Sequence, residues 1–105
     1  MGDSRKPRII GHRGAGRLAP ENTLAAIKLA HEIGLDAVEL DLQASADHAL
    51  VIFHDDTLDR TTDGTGPLNA WSLDKLRTCD AGAWFDSRYQ KERIPVLEET
   101  LPYFQ

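Results

Sequence analysis

The sequence contains a single cysteine, Cys79, so no disulfide can form within the chain. This scarcity is more common in reducing compartments than in secreted proteins, and it predicts a cytoplasmic location. No apolar run approaches the roughly 20 residues that cross a bilayer, which predicts that the chain has no membrane span. The basic start MGDSRKPRII lacks the apolar stretch of a secretory signal, so we expect no such signal.

Positive charge is also scarce. The chain has 12 lysines and arginines against 17 aspartates and glutamates, which gives a formal net charge of −5. Nonspecific binding to nucleic acid requires clustered cations, so this balance predicts no nucleic-acid partner. A content of 41% hydrophobic and 28% charged residues is typical of a globular protein, and 105 residues allow one domain at most.

The N-terminal part has the pattern of a strand, a helix and a second strand. Residues 8–12 are predicted to form the first strand. An apolar pair at the start of IIGHRGAG, residues 9–16, is followed there by glycines, as at the end of a buried strand. Residues 22–34 have helical apolar spacing, with Asn22 or Thr23 as the N-cap and a glycine as the stop. Residues 37–42 alternate with period two and predict the second strand. Because such units are parallel, both strands end at the same sheet edge.

The next apolar run, ALVIFHDD, follows a connection of only four residues, 46–49, and is therefore predicted to return antiparallel. A turn centred on Asp47 and His48 pairs Asp41 with His54, and facing residues share one side of a sheet. The pairing depends on the turn, because a slip of one residue reverses the side chains. The sheet would keep an open edge, through which self-association of the chain is expected.

Two carboxylates stand at spacing two on an otherwise apolar strand. Spacing of two directs Glu39 and Asp41 to one side, where their oxygens can bind a hard divalent cation such as Mg²⁺ or Ca²⁺. Two carboxylates do not complete such a shell, so water, substrate or another ligand must complete it. The alternative interpretation is that both residues form the solvent-facing side of a half-exposed strand.

Two histidines and an arginine follow apolar strands and can reach the same edge. His12 and His54 can serve as general base and general acid, because imidazole titrates near neutral pH. Arg13 can make bidentate contacts to phosphate oxygens. A cation site, an acid–base pair and a phosphate-binding arginine together predict phosphoryl transfer or phosphoester cleavage.

These motifs resemble those of the glycerophosphodiester phosphodiesterases. GHRGAGRLAPENTLAAI is similar to that family's opening motif, and VELDLQASADHALVIFHDDTLDRTTDGTG is similar to its Glu-x-Asp strand, His-Asp segment and Thr-rich loop. The resemblance spans residues 9 to about 100. It implies that His12 and His54 are the acid–base pair, that Arg13 contacts phosphate, and that Glu39 and Asp41 bind the metal.

The resemblance also implies a fold. Residues 1–105 would form the N-terminal part of an α/β TIM (β/α)8 barrel of the phospholipase-C-like phosphodiesterase type, with about 56–93 as a small inserted subdomain. The barrel would be incomplete in this chain, because a TIM barrel takes about 250 residues. The third metal ligand of the family would lie beyond Gln105.

The implied activity is metal-dependent hydrolysis of glycerophosphodiesters to glycerol 3-phosphate and an alcohol, with the 105-residue chain incomplete or inactive by itself. Two alternatives remain at this stage. One is a noncatalytic remnant that acts as a binding or assembly module. The other is another barrel phosphodiesterase of the phospholipase type.

Overall fold

A computed structural model describes residues 8–104 of the chain. In this range the strands are Ile10–His12 (β1), Ala37–Glu39 (β2), Leu42–Ala44 (β3) and Leu50–Ile52 (β4). The α-helices are Leu24–Glu32 (α1), Leu73–Leu76 (α2) and Leu97–Thr100 (α3), and short 3₁₀ turns lie at Leu68–Ala70, Ser87–Tyr89 and Leu101–Phe104. None of the helices between residues 8 and 104 has the length and apolar character needed to cross a membrane.

The predicted strand–helix–strand unit is present. β1 pairs with β2 in parallel, and the register sets His12 against Glu39. In chain order α1 connects the two strands, and it buries Ala26, Ile27 and Ala30. The backbone turns after α1 at Gly34, whose φ of +75° favours a residue without a Cβ. The parallel pairing brings the C-terminal ends of β1 and β2 to one edge.

Thr23 is the N-cap of α1, one of the two predicted candidates. Its Oγ1 accepts a hydrogen bond from the Ala26 N–H at 3.3 Å and donates one to the Pro20 carbonyl at 2.7 Å. We expect Thr23→Ala to lower the free energy of unfolding by about 1 kcal/mol, because an N–H of the first turn loses its partner. Urea unfolding of the 105-residue chain measures the difference. Thr23→Ser is the matched control and should keep most of the stability, whereas an alanine variant as stable as the serine variant would contradict the cap.

The hairpin exists, but its predicted register is wrong by one residue. β3 and β4 are antiparallel with Leu42 opposite Ile52, so the pairing of Asp41 with His54 does not occur. Instead the Phe53 N–H donates to the Asp41 carbonyl at 2.9 Å. The reason is the length of the loop, which contains three residues rather than two or four and ends with His48 at a φ of +68°.

The strand predicted over residues 37–42 is divided in two. β2 ends at Glu39 and pairs with β1, whereas β3 begins at Leu42 and pairs with β4. Leu42, which strict alternation places on the apolar side with Val38, is 51% exposed. The alternation of apolar and polar side chains therefore ends where the chain passes from one two-stranded sheet to the other.

The segment after β4 packs against that strand around a hydrophobic core. This core contains Val51, Phe53, Leu58, Leu68, Leu76, Cys79, Ala81 and Ile94. Ser72 caps α2 by accepting a hydrogen bond from the Lys75 N–H, as its position predicts. The segment ends beside its beginning, because the Ile52 N–H donates to the Pro95 carbonyl at 2.9 Å. α3 then ends at Thr100, two residues before Pro102.

Candidate functional site

The register of β1 and β2 brings His12 and Glu39 together. Both residues end their strands, and His12 Nε2 lies 3.7 Å from Glu39 Oε1. Their side chains are 67% and 65% exposed, so both are open to a ligand. The parallel pairing thus provides an imidazole and a carboxylate next to each other at the edge where the strands end.

The glycines around His12 permit a tight loop after β1. A Cβ on Gly11 would collide with the Gly14 carbonyl, so the loop folds back directly over the strand end. Gly14 has a φ of +78°, and a Cβ on it would lie 3.0 Å from Ala26 in α1. Glycine at both positions allows the loop to pack against the helix while His12 faces outward.

Arg13 is held by its backbone as well as by its side chain. Its N–H donates to the Glu39 carbonyl at 2.7 Å, and its carbonyl accepts from the Asn22 N–H at 3.0 Å. Its guanidinium lies with Nε 3.6 Å from Asp41 Oδ2 and donates from Nη1 to both oxygens of Glu21 at 3.2 Å. Arg13 is therefore fixed between the end of β2, the Asp41 carboxylate and the entry to α1.

Asn22 orients Asp41. The Asn22 Nδ2 donates to Asp41 Oδ2 at 3.0 Å, and Asn22 is buried with a φ of +57°. Within residues 8–104, Asn22 Oδ1 and Arg13 Nε are the buried side-chain polar atoms without a hydrogen-bond partner. Arg13 Nε still lies 3.6 Å from Asp41 Oδ2, so Asn22 Oδ1 is the one of these two atoms that faces no opposite charge.

The donor chemistry of this edge fits a hard divalent cation in part. Glu39 and Asp41 contribute carboxylate oxygens, the ligands that Mg²⁺ and Ca²⁺ prefer, and the Asn22 side chain that binds Asp41 carries a further, neutral oxygen. No group of three or more His, Cys, Asp or Glu side chains in the described part of the chain is arranged to hold a metal. The two carboxylates would therefore need ligands from water, substrate or another part of the protein.

His54 lies just after β4 in a firmly held segment. The Gln43 side-chain amide nitrogen lies within hydrogen-bond distance of the carbonyls of Phe53, His54 and Asp55, which fixes the backbone on both sides of the histidine. The imidazole Nδ1 lies 2.6 Å from Asp55 Oδ1, and the His54 side chain is 42% exposed. One ring nitrogen thus faces a carboxylate and leaves Nε2 available for a substrate.

Arg60 joins the His54 segment to the loop that enters α1. Its Nε and Nη2 donate to Asp55 at 2.8 and 3.0 Å, and its Nη1 and Nη2 donate to Glu21 at 3.0 and 2.9 Å. The hydrogen bonds from Arg60 hold the pKa of Asp55 well below its ordinary value of 3.8. Asp55 and Glu21 in turn raise the pKa of Arg60. Asp55 and Arg60 are therefore both charged at neutral pH.

The structure brings the predicted site residues together in two groups. The first contains His12 with Glu39 and Arg13 with Asp41, while His54 stands apart with Asp55. In the range 8–104, no hydrogen bond or ion pair joins His54 directly to the first group. An indirect connection is made by a series of contacts between acidic and basic side chains. In order, the residues are Asp41, Arg13, Glu21, Arg60, Asp55 and His54.

Sequence reasoning did not identify Glu21, Asn22 or Arg60 as members of this site. The first two belong to the PEN tripeptide before the N-cap, where polar residues are common for reasons of turn geometry. Arg60 lies in a loop of mixed polar residues that gives no periodic signal. A charged residue directly before a predicted N-cap was the available signal for Glu21.

Residues 12–104 match the profile of the glycerophosphoryl diester phosphodiesterase family. A glycerophosphodiester phosphodiesterase of Caldanaerobacter subterraneus is 46% identical over 94 residues, which are 90% of this chain and 39% of that protein. The crystal structure of a glycerophosphodiester phosphodiesterase from Agrobacterium tumefaciens superposes with a TM-score of 0.90 at 47% identity, over 94% of this chain and 43% of that one.

A phosphodiesterase of Oleispira antarctica, solved in complex with the product sn-glycerol-3-phosphate, superposes with a TM-score of 0.87 at 46% identity. The superposition covers 92% of this chain and 41% of that one. The chain therefore spans about two fifths of the length of the proteins it matches. These matches confirm the predicted fold, the N-terminal part of a TIM-barrel phosphodiesterase whose sheets are not closed in this chain.

Proposed function

The chain belongs to the glycerophosphoryl diester phosphodiesterase family, and on that premise we propose that it contributes to the metal-dependent hydrolysis of glycerophosphodiesters. The products would be glycerol 3-phosphate and an alcohol. The Oleispira antarctica relative, 46% identical, holds sn-glycerol-3-phosphate as its product, which supports this substrate class. The single observation that carries the proposal is the parallel register that places His12 beside Glu39, with Arg13 beside Asp41.

In this proposal Glu39 and Asp41 hold the cation at the edge where β1 and β2 end. A bound Mg²⁺ or Ca²⁺ supplies positive charge that offsets the negative charge on the phosphate oxygens. Asn22 keeps the Asp41 carboxylate in place through its amide hydrogen bond. Because the described residues supply only part of a coordination shell, the other ligands come from water, substrate or the remainder of the protein.

His12 and His54 move the protons of the reaction. One imidazole accepts the proton of the attacking hydroxyl, and the other donates a proton to the departing alcohol oxygen as the P–O bond breaks. The attacking hydroxyl belongs either to water or to the neighbouring glycerol carbon, which would give a cyclic phosphate that water then opens. Both rings are well exposed, which gives a substrate access to them.

Arg13 binds a phosphate oxygen. Its guanidinium is largely buried, and the carboxylates of Asp41 and Glu21 hold it in place at 3.6 and 3.2 Å. A positive charge fixed before the substrate binds stabilises the charge that develops on phosphate in the transition state.

The cytoplasmic location and the inserted subdomain over about 56–93 stay predictions.

The test uses two forms of the protein, the 105-residue chain and a chimera in which this chain replaces the segment it matches in the Agrobacterium tumefaciens enzyme. Release of choline from glycerophosphocholine is measured with Mg²⁺, with Ca²⁺ and with a chelator. We expect turnover by the chimera with a metal and none with the chelator. A chimera that folds by circular dichroism but releases no choline with either metal would contradict the proposal.

The open sheets favour a second candidate, association of the chain through its apolar surface. Both sheets have only two strands, and Ile10, Leu42 and Leu50 are 61%, 51% and 47% exposed on them. Exposed apolar side chains on small sheets are typical of a surface that another polypeptide covers. This candidate corresponds to the assembly module considered above, and light scattering of the 105-residue chain would show the association.

A further inference from the structure

Arg60 occupies an unusual place in the charged network. It lies 39 residues from Glu21 and five from Asp55, and it makes a paired contact with each carboxylate. The edge formed by Nε and Nη2 binds Asp55, and the edge formed by Nη1 and Nη2 binds Glu21. A planar guanidinium can bind two carboxylates side by side in this way, whereas an ammonium group cannot.

The carboxylates that Arg60 binds are the ones that touch the predicted catalytic groups. Asp55 Oδ1 faces His54 Nδ1 at 2.6 Å, and Glu21 accepts both contacts from Arg13 Nη1. Glu21 is only 10% exposed and lies between two arginines, with Arg13 Nη1 at 3.2 Å and Arg60 Nη2 at 2.9 Å. Arg60 is thus the one described side chain that bridges the His54 segment and the Arg13 loop.

We propose that Arg60 is a positioning residue, which holds Asp55 and Glu21 as one rigid unit and thereby fixes His54 and Arg13 relative to each other. This inference rests on the proposed function. It adds that the shape of the guanidinium, and not only its charge, is needed to hold Asp55 and Glu21 together. An ionised carboxylate can only accept hydrogen bonds, so Asp55 selects the His54 tautomer with its proton on Nδ1. Nε2 is then the nitrogen free to act on a substrate.

The first measurement reads the tautomer of His54 by ¹⁵N NMR in the 105-residue chain, at a pH where the imidazole is neutral. His54→Ala assigns the signal. We expect the proton on Nδ1 in the unsubstituted chain and a shift towards a mixture of tautomers in both Arg60→Gln and Arg60→Lys. Lysine keeps the charge but loses both paired contacts, so it separates shape from charge.

The second measurement is the kinetics of the same variants in the chimera. Misplacement of a catalytic group by about 1 Å can lower the rate by about 100-fold, so we expect kcat to fall by up to that factor in both variants, with a smaller change in KM. Arg88 provides the matched control, because its side chain is 67% exposed and its nearest carboxylate, Asp86, is 4.0 Å away. Arg88→Lys and Arg88→Gln should leave both the tautomer and kcat unchanged.

Two results would overturn the proposal. One is a lysine variant that matches the unsubstituted protein in tautomer and in kcat, since charge alone would then be sufficient. The other is a fall in kcat with an unchanged His54 tautomer, which would mean that Arg60 acts only on general structure. A chimera without activity would contradict the proposed function and not this inference, because the tautomer is measured without substrate.

Discussion

His54→Ala in the chimera is expected to lower kcat by roughly 10²- to 10⁴-fold, the range typical for removal of a general acid or base. His12→Ala should give a loss in the same range, because the proposed mechanism assigns opposite proton transfers to the two imidazoles. KM should change much less, since neither ring is assigned to hold the substrate. Steady-state kinetics with glycerophosphocholine measure both constants.

A third histidine provides the control for these substitutions. His48 lies in the hairpin loop with a φ of +68°, and asparagine tolerates that conformation, so His48→Asn should keep the activity of the unsubstituted chimera. Loss of activity in His48→Asn would show that the assay responds to general damage. An unchanged kcat in both His12→Ala and His54→Ala would remove the acid–base assignment.

Leu68→Ala should destabilise the chain by about 2–5 kcal/mol, the usual range when a buried leucine is truncated. Leu68 is 0% exposed in the core of the segment after β4, and its N–H donates to the Asp56 carbonyl at 2.9 Å. The substitution leaves a cavity that the neighbouring side chains cannot fill without moving. Urea unfolding of the 105-residue chain at neutral pH measures the change in midpoint.

Leu18→Ala is the matched control for this stability measurement. Leu18 is 57% exposed, so its truncation should change the free energy of unfolding by no more than about 0.5 kcal/mol. Equal effects of the two substitutions would show that the core around Leu68 does not hold the segment together. The comparison therefore tests whether the segment carrying Arg60 is rigid enough to support the network at His54.

Local signals were sufficient for the first part of the fold. The N-caps at Thr23 and Ser72 follow from residue chemistry, because a hydroxyl can satisfy N–H groups that a helix start leaves free. The parallel pairing of β1 with β2 follows from the order strand, helix, strand, and with it the contact of His12 with Glu39. These features depend on short stretches of chain and on general rules of topology.

The register of the hairpin could not be predicted in the same way. It depends on whether the loop holds two, three or four residues, and the sequence ASADHAL permits each of these. The Ser45 hydroxyl bonds to Asp47 and accepts from the Ala49 N–H, and these contacts stabilise the three-residue loop that was not expected. A difference of one residue here reverses the sides of all the following side chains.

The charged network was beyond prediction for a different reason. The contact between Arg60 and Glu21 joins residues far apart in the chain, and neither residue has a periodic pattern that reports on it. Its formation depends on where the segment after β4 packs against the loop before α1. Only the three-dimensional fold provides that information, so the site could be predicted as a set of residue types but not as a connected network.

The hydrogen bond from the Ile52 N–H to the Pro95 carbonyl closes the segment between these two residues at its base. The polypeptide departs from β4 and comes back to the same point, where Val51 and Val96 also form a bridge. Insertions or deletions in the exposed turns of this segment leave the closing contact in place, provided that the core around Leu68 stays packed. The segment can therefore vary in length while β1, β2 and the groups at their ends keep their positions. The condition is that Arg60 still contacts Glu21.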